Sequence, residues 1–227
     1  MKKYFSVFTV LFSLPLFAFA ESTVDLQWSI CDVSPEIVLE KLEQTDAKQK
    51  INGITYYDTA SPQYLQDGVT FRIKEKKEGE ISSVKIRFAQ EIEIPEADCE
   101  WDRYGSQIKY TCEVTAPLSD SSSLWSQEQK DFLVRYYHRP NFRALKAYGP
   151  YENRKWKLEH KGNKISFDSV DTPEAGPIME LSLKVPYSEK DEMIAKLQHW
   201  LEKRDVVLCA RQESKTHRLF LAMGILR

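Results

Sequence analysis

The sequence lacks most of the features that mark a nucleic-acid-binding protein or a hydrolase built on a catalytic triad. Its 227 residues include 32 Lys and Arg against 34 Asp and Glu, so there is no basic excess to attract nucleic acid. The four histidines form no spaced cluster, and there is no CxxC pair, Ser-His-Asp or Cys-His constellation. These absences argue against a zinc site, a thiol redox site and a triad mechanism.

The long apolar run of the chain lies at its N-terminus. Lys2 and Lys3 precede an apolar stretch over residues 4–17, and Ala18-Phe19-Ala20 provides a small-x-small cleavage site. This order is typical of a secretory signal peptide, and the run is short for a membrane span of about 20 residues. We therefore predict cleavage after Ala20 and a single domain over residues 21–227 that is periplasmic or secreted, with no membrane span.

All four cysteines lie beyond this segment, and an even count in an exported protein predicts disulfides. Gly105-Ser106 lies midway between Cys99 and Cys112 and suits a two-residue type II′ hairpin. Counting outward from this turn places Cys99 opposite Cys112 at a non-hydrogen-bonded pair, where Cα atoms are about 4.5 Å apart. That separation is within the disulfide range of roughly 4.4–6.8 Å. We predict Cys99–Cys112 and, by elimination, Cys31–Cys209.

The clearest pattern is a pair of alternating runs at residues 69–74 and 83–88, joined by a polar segment that contains Gly79. Apolar and polar residues that alternate with period two are typical of strands, and the joining segment suits a hairpin. One face carries Val69, Phe71, Ile73, Val84, Ile86 and Phe88, and the other carries the cations Arg72, Lys74, Lys85 and Arg87. The four cations are either ordinary solvated surface or a ligand site.

Similar patterns predict the other elements. Helices are expected at 35–46, with Ser34 as N-cap and Pro35 at the first position, at 124–138, and at 189–203, with Ser188 as N-cap. Residues 139–153 are expected to be irregular or a short helix. Strands are expected at 24–30, 54–57, 91–94, 156–158, 164–170 and 179–185, on both sides of Gly105-Ser106, and at 206–211 and 217–224.

Strand after strand has one apolar and one charged face. Such a sheet is either open, with its charged face in solvent, or closed around a polar lumen, with helices covering its apolar outer face. Periodicity alone does not choose between them.

The segment from Tyr56 to Phe88 resembles the CYTH proteins of the triphosphate tunnel metalloenzyme superfamily. The similar features are the Tyr57-Asp58-Thr59 opening, a leucine-containing turn that ends at Gly68, an Arg-bearing strand and a Lys-rich strand. The resemblance implies an α+β fold: a closed antiparallel β-barrel with a polar lumen and helices packed on the outside. In that family the lumen binds triphosphate groups and a divalent metal.

Weaker similarity extends over most of residues 24–216. The family's opening Glu-x-Glu-x-Lys strand corresponds to Asp25-x-Gln27-x-Ser29, and its late acidic strand corresponds to Glu180-x-Ser182-x-Lys184. Each of these two segments has an acidic residue at one of the family's two acidic positions and a non-acidic residue at the other. Phe167-Asp168-Ser169-Val170 resembles an Asp-bearing strand, and Ser214-Lys215 resembles a C-terminal Ser-Lys pair.

The resemblance implies a cationic ligand site, because a triphosphate needs convergent Arg and Lys side chains. The expected ligand-binding residues are Arg72, Lys74, Lys85, Arg87, Lys184 and Lys215, with Lys109 and either Lys155 or Lys157 as further candidates. Hydrolysis also needs Mg²⁺ or Mn²⁺ held by carboxylates. The expected metal ligands are Asp25, Glu180, Glu113 and Asp168, with Glu100 and Asp102 in reserve.

Loss of acids at Gln27 and Ser182 predicts a weakened or absent metal site. The sequence therefore predicts an exported barrel that binds a small phosphorylated or polyanionic ligand, polyphosphate-like or triphosphate-like, with weak or lost catalysis. The alternative is a divalent-metal-dependent triphosphate or polyphosphate phosphohydrolase. The carboxylate count in the lumen separates the two functions and favours binding.

Overall fold

The computed structural model describes residues 22–118, 123–137, 140–173 and 175–226. The predicted signal peptide at residues 1–20 and the predicted helix end at His138 lie outside these residues. The described chain contains nine strands: β1 (Thr23–Ile30), β2 (Gln49–Asp58), β3 (Val69–Lys76), β4 (Gly79–Phe88), β5 (Asp98–Tyr104), β6 (Gln107–Pro117), β7 (Lys146–His160), β8 (Asn163–Thr172) and β9 (Gly176–Pro186).

These strands form a closed barrel in the order β1-β5-β6-β4-β3-β2-β7-β8-β9, which confirms the closed rather than the open sheet. The barrel closes where β1 pairs antiparallel with β9, Asp25 lying opposite Lys184. The described barrel is mixed rather than wholly antiparallel, because β1 runs parallel to β5, with Asp25 beside Asp102. A parallel pair needs a long connection, and the chain between β1 and β5 supplies one.

The period-two alternation sorts each strand into an outer and a lumenal face. On β3, Phe71 and Ile73 pack outward in a cluster with Trp125 and Phe132, whereas Arg72 faces the lumen. Burying an aromatic or aliphatic side chain in this way stabilises the fold by about 1.5–3 kcal/mol each. A second outer cluster lies over β1, β7, β8 and β9, and helices cover both clusters.

The covering helices are α1 (Pro35–Lys41), α3 (Gln127–Tyr136) and α4 (Lys190–Lys203), and a short α2 (Gln63–Gln66) precedes β3. Ser34 caps α1, as predicted, by accepting a hydrogen bond from the Ile37 N–H. The N-cap of α4 is Glu189 rather than Ser188, because a 3₁₀ turn at Tyr187–Glu189 precedes the helix. Helix α3 begins at a capping box between Ser126 and Gln129.

The β5–β6 hairpin has the predicted register, with Tyr104 opposite Gln107 and Cys99 opposite Cys112. Gly105 adopts φ of +57° in the turn, a conformation that favours glycine. Both predicted disulfides are present: Cys99–Cys112 and Cys31–Cys209. Two disulfides are typical of a protein from an oxidising, non-cytoplasmic compartment.

Several sequence predictions of secondary structure are wrong. Residues 91–94 are not a strand, and residues 146–153 belong to β7 rather than to an irregular segment. Residues 206–211 form only one isolated bridge, between Leu208 and Ile30. Most consequentially, residues 217–222 of the predicted strand at 217–224 belong to a helix, α5 (Lys215–Ala222).

Helix α5 does not lie on the outside of the barrel with the other helices. Its Leu219 and Phe220 pack with Ile54, Tyr56 and Val170. Ile54 and Tyr56 line the lumen, and Val170 shares the inward face of β8 with Asp168. Helix α5 therefore closes one end of the barrel, and its burial among inward-facing apolar side chains explains why it is helical there.

The segment that leads into α5 is anchored at Ser29, the residue that replaces a lysine of the family frame. The Ser29 hydroxyl donates to the Glu213 carbonyl oxygen (2.8 Å), and the Ser29 N–H donates to Gln212 Oε1 (2.8 Å). The Cys31–Cys209 disulfide ties the same segment to the end of β1. No helix in the described parts of the chain is long and apolar enough to cross a membrane.

Candidate functional site

The lumen contains a cavity of about 410 Å³ that is lined almost entirely by polar and charged side chains. The basic lining residues are Arg72, Lys74, Lys76, Lys85, Arg87, Lys155 and Lys215. The acidic lining residues are Asp25, Glu100, Asp102, Glu113, Asp168 and Glu180. Five of the six cations predicted from the sequence thus converge on one space, along with all four of the predicted metal-ligand acids.

The basic wall is formed by β3 and β4, which are neighbours in the barrel. The Arg72 guanidinium donates to Ser83 Oγ (3.0 Å) and to Glu113 Oε1 (2.7 Å). Lys85 lies 3.5 Å from Asp102 and 3.9 Å from Glu113. Burial favours the neutral form of Glu113, but the attraction of Arg72 and Lys85 outweighs it and holds the pKa of Glu113 well below its usual range.

Two cations of this wall have no carboxylate partner among the described residues. Arg87 instead donates to the Tyr104 hydroxyl (3.2 Å) and to Thr70 Oγ1 (3.0 Å). Lys74 forms no ion pair there, and repulsion by Arg72 together with burial lowers the pKa of Lys74 to about 6. The wall therefore holds two basic groups that no described carboxylate pairs with.

The acidic wall is formed by β1 and β5. The Gln27 amide donates to Asp25 Oδ2 (3.0 Å) and to Asp102 Oδ1 (3.3 Å). Asp102 also accepts from Thr111 (2.9 Å), whereas Asp25 forms no ion pair with a described residue. Burial, with repulsion from the neighbouring carboxylates Asp102 and Glu100, raises the pKa of Asp25 to about 7.

The N-terminus of α5 brings Lys215 into the lumen. Its ammonium nitrogen lies 3.6 Å from Asp168 and 3.7 Å from Glu180, and its backbone N–H donates to Glu180 Oε2 (3.1 Å). Burial disfavours the charged lysine, but the attraction of Asp168 and then Glu180 outweighs it and raises the pKa of Lys215. Lys155 lies 3.4 Å from Asp168 on the other side.

The other predicted residues lie at the edges of this space. Lys184 does not line the cavity; it pairs with Glu100 (2.6 Å), and its side chain is 54% exposed. Lys157 is exposed and donates to Ser166 (2.6 Å), so Lys155 is the lumenal one of the two alternatives. Lys109 lines a second cavity, of about 330 Å³, that shares Arg87 with the first.

The comparisons with known proteins agree with this architecture. No family model and no curated protein matches the sequence. Among solved structures, a candidate adenylate cyclase from Bacillus halodurans superposes with a TM-score of 0.61 at 17% identity, covering 88% of this chain and 98% of that one. A candidate adenylyl cyclase from Hippeastrum, described as having a dominant triphosphatase activity, gives a TM-score of 0.58 at 12% identity, covering 91% and 97%.

The chain has the CYTH-like triphosphate tunnel fold. This confirms the resemblance to CYTH proteins that was inferred from the motifs around Arg72 and Lys85. At identities this low the comparison shows the fold alone, so the function of the lumen must be argued from its own residues.

The divalent metal that the fold implies does not fit the carboxylates as they are arranged here. Among the residues that the structure describes, no group of three or more Asp, Glu, His or Cys side chains could hold a metal ion. Glu113 is engaged by Arg72, and both Asp168 and Glu180 by Lys215. The neutral Gln27 and Ser182 line the cavity where the family frame has acids.

Sequence reasoning missed several polar groups, among them Asn52 and Asn153 of the lumenal cavity and Tyr104 of the second cavity. Burial raises the pKa of Tyr104 to about 12, so its hydroxyl keeps its proton between Arg87 and Asp102. Asn153 was missed because residues 139–153 did not read as a strand. Its spacing of two from Lys155 was the available signal, because residues two apart on a strand share a face.

Proposed function

We propose that this protein is an exported barrel that binds a small phosphorylated ligand in its cationic lumen, with weak or no catalysis. The observation that carries the proposal is that Lys74 and Arg87 face the cavity without a carboxylate partner among the described residues. Phosphate oxygens are the natural counterpart, because guanidinium and ammonium groups donate charge-assisted hydrogen bonds to them.

Export is supported by two independent features. The N-terminal residues have the order of a signal peptide, and the fold carries two disulfides. CYTH proteins commonly use nucleotides and thiamine triphosphate, which are cytosolic. An exported protein would not meet these compounds. A phosphorylated or polyanionic compound of the exported compartment is therefore the ligand class that we propose.

The second candidate function is divalent-metal-dependent hydrolysis of triphosphate or polyphosphate, requiring Mg²⁺ or Mn²⁺. It is favoured by the shared fold with the Hippeastrum protein described as having triphosphatase activity. Asp25 and Glu180 would be the first ligands to test. The other acids already form ion pairs with basic side chains, so ligand binding is better supported than metal-dependent hydrolysis.

Calorimetric titration of the oxidised protein with tripolyphosphate, with EDTA or with Mg²⁺ or Mn²⁺, tests both functions when phosphate release is followed in parallel. We expect binding without metal that Lys74→Met or Arg87→Met weakens by about tenfold or more, since each removes a charge-assisted hydrogen bond. Lys196→Met, on the exposed surface of α4, is the matched control for net charge. Absence of binding contradicts the proposal, and metal-dependent phosphate release lost on Asp25→Asn establishes the second function instead.

A further inference from the structure

We infer that the ligand of this lumen carries a positive group as well as a phosphate, that is, a phosphorylated amine. The inference rests on the proposed function and narrows its ligand class. It derives from the charge balance of the cavity, from the separation of its two signs and from one buried acceptor that has no partner.

The charge balance of the lumen favours a ligand that carries positive as well as negative charge over a bare polyanion. The seven basic lining residues are accompanied by six acidic ones, so the described walls carry little net charge. An inorganic polyphosphate brings several negative charges, and a lumen of this composition neutralises few of them. A divalent metal would supply the missing positive charge, but the acids here are not grouped to hold one. A ligand that carries its own cation needs no metal.

Two stretches of the lining carry charge of predominantly one sign, and they meet where Lys85 lies 3.5 Å from Asp102. Arg72, Lys74, Lys85 and Arg87 are on β3 and β4, whereas Asp25, Glu100 and Asp102 are on β1 and β5. Strand β6 separates these two pairs of strands in the barrel order. A ligand in the cavity can therefore place an anionic group against one wall and a cationic group against the other.

Each wall also keeps ionisable groups that form no ion pair. Lys74 and Arg87 have no carboxylate partner on the basic wall, and on the acidic wall Asp25 has no cationic partner among the described residues. The one hydrogen bond that the structure gives Asp25 comes from a neutral amide, that of Gln27. An ammonium group beside Asp25 would relieve the crowding of carboxylates there, as an anion beside Lys74 would relieve the crowding of cations.

The unpartnered acceptor is independent of these charges. Asn153 lines the cavity and is 8% exposed, and its Oδ1 atom is buried without a hydrogen-bond partner in the described structure. Ionised phosphate oxygens offer no proton to such an acceptor, whereas an ammonium N–H does.

The test compares aminoalkyl phosphates with alkyl phosphates of the same length, two to six methylenes, in the presence of EDTA. Calorimetric titration of the oxidised protein measures both series. At one linker length or more, we expect the aminoalkyl phosphate to bind about tenfold more tightly than its amine-free counterpart. In Asp25→Asn we expect this preference to fall below about threefold, while the alkyl phosphate binds as tightly as before or more tightly.

Equal affinities of the two series at every length would overturn the inference and leave the proposed function standing. A preference that survives Asp25→Asn unchanged would also overturn it. So would a gain in alkyl phosphate affinity on adding Mg²⁺ that Asp25→Asn abolishes, because the acidic wall would then serve a metal. If neither series nor tripolyphosphate binds, it is the proposed function that fails. Should Asp25→Asn not fold, the comparison of the two series on the natural chain decides the question.

Discussion

Asp25 and Asp102 are register partners in the parallel strand pair of the barrel, and a single amide, that of Gln27, donates to both carboxylates. Gln27 stands where the CYTH frame has its second acid. A neutral donor therefore lies between two carboxylates at the position that the resemblance to CYTH proteins assigns to an acid. The residue at this one position therefore affects both Asp25 and Asp102 of the acidic wall.

Restoring the lost acids should create metal affinity. In Gln27→Glu/Ser182→Glu we expect Mn²⁺, at about 100 times its Kd, to raise the melting temperature by roughly 5–10 °C. Without metal, the variant should melt below the natural protein, because it adds one negative charge to the acidic wall and a second beside it on β9, opposite Gln27. Gln27→Met/Ser182→Ala is the control that removes the same groups without adding charge. A similar Mn²⁺ response in the natural protein would show that a metal site already exists there.

Asp25→Asn should stabilise the protein in a pH-dependent way. Because the pKa of Asp25 is raised from 3.8 to about 7 in the fold, its ionised form destabilises the native state fully above pH 7. The penalty declines as the pH falls through 7 toward 4, where the carboxyl is protonated in both states. The gain in melting temperature from the substitution should therefore be largest near pH 8 and vanish near pH 4. A gain that is the same at both ends of this range would disprove the assignment, with the exposed Asp46→Asn as control.

Lys74→Met should show the opposite pH dependence. Repulsion by Arg72 and burial lower the pKa of Lys74 from 10.5 to about 6, so its charged form destabilises the native state fully below pH 6. The penalty fades as the pH rises from 6 toward 10.5. We expect the largest gain in melting temperature below pH 6, accompanied by weaker tripolyphosphate binding. Melting curves from pH 5 to pH 9 measure it, and a gain that grows with pH would contradict it.

The two disulfides should differ in their contribution to stability. Cys31–Cys209 spans 178 residues and Cys99–Cys112 spans 13, so a chain-entropy model gives about 5 and about 3 kcal/mol respectively. Paired Cys→Ser variants of each, unfolded in urea, measure the difference. The loss of Cys31–Cys209 should also weaken ligand binding, because it releases the segment that positions Lys215. If removing Cys99–Cys112 lowered stability and ligand binding more than removing Cys31–Cys209, the proposed anchoring of the C-terminal segment by Cys31–Cys209 would be contradicted.

Local sequence patterns correctly predicted much of the fold. Alternation at residues 69–74 and 83–88 identified two strands and placed Arg72 and Lys85 on the same face, because side-chain direction alternates along a strand. The register of the β5–β6 hairpin, and with it the Cys99–Cys112 bond, followed from a two-residue turn. Both depend on residues close together in the chain.

Helix α5 shows where local patterns failed. Residues 217–224 mix apolar and polar residues in a way that suits a short strand as well as a helix, and they were predicted as a closing strand, whereas the structure has a helix over Lys215–Ala222. Its helical state depends on the apolar end of the lumen, where Phe220 packs against Tyr56. That environment exists only after nine strands from the rest of the chain have closed around it.

The sequence by itself determined which side chains share a face, where the hairpins turn and how the cysteines pair. Only the tertiary structure decided that β1 lies parallel to β5, that Lys215 enters the lumen from the start of a helix, and which cations and carboxylates remain unpaired. The physical reason is the separation along the chain of the residues that interact. Strand period and turn geometry act over a few residues, whereas ion pairing in the lumen joins side chains that barrel closure alone brings within a few ångströms.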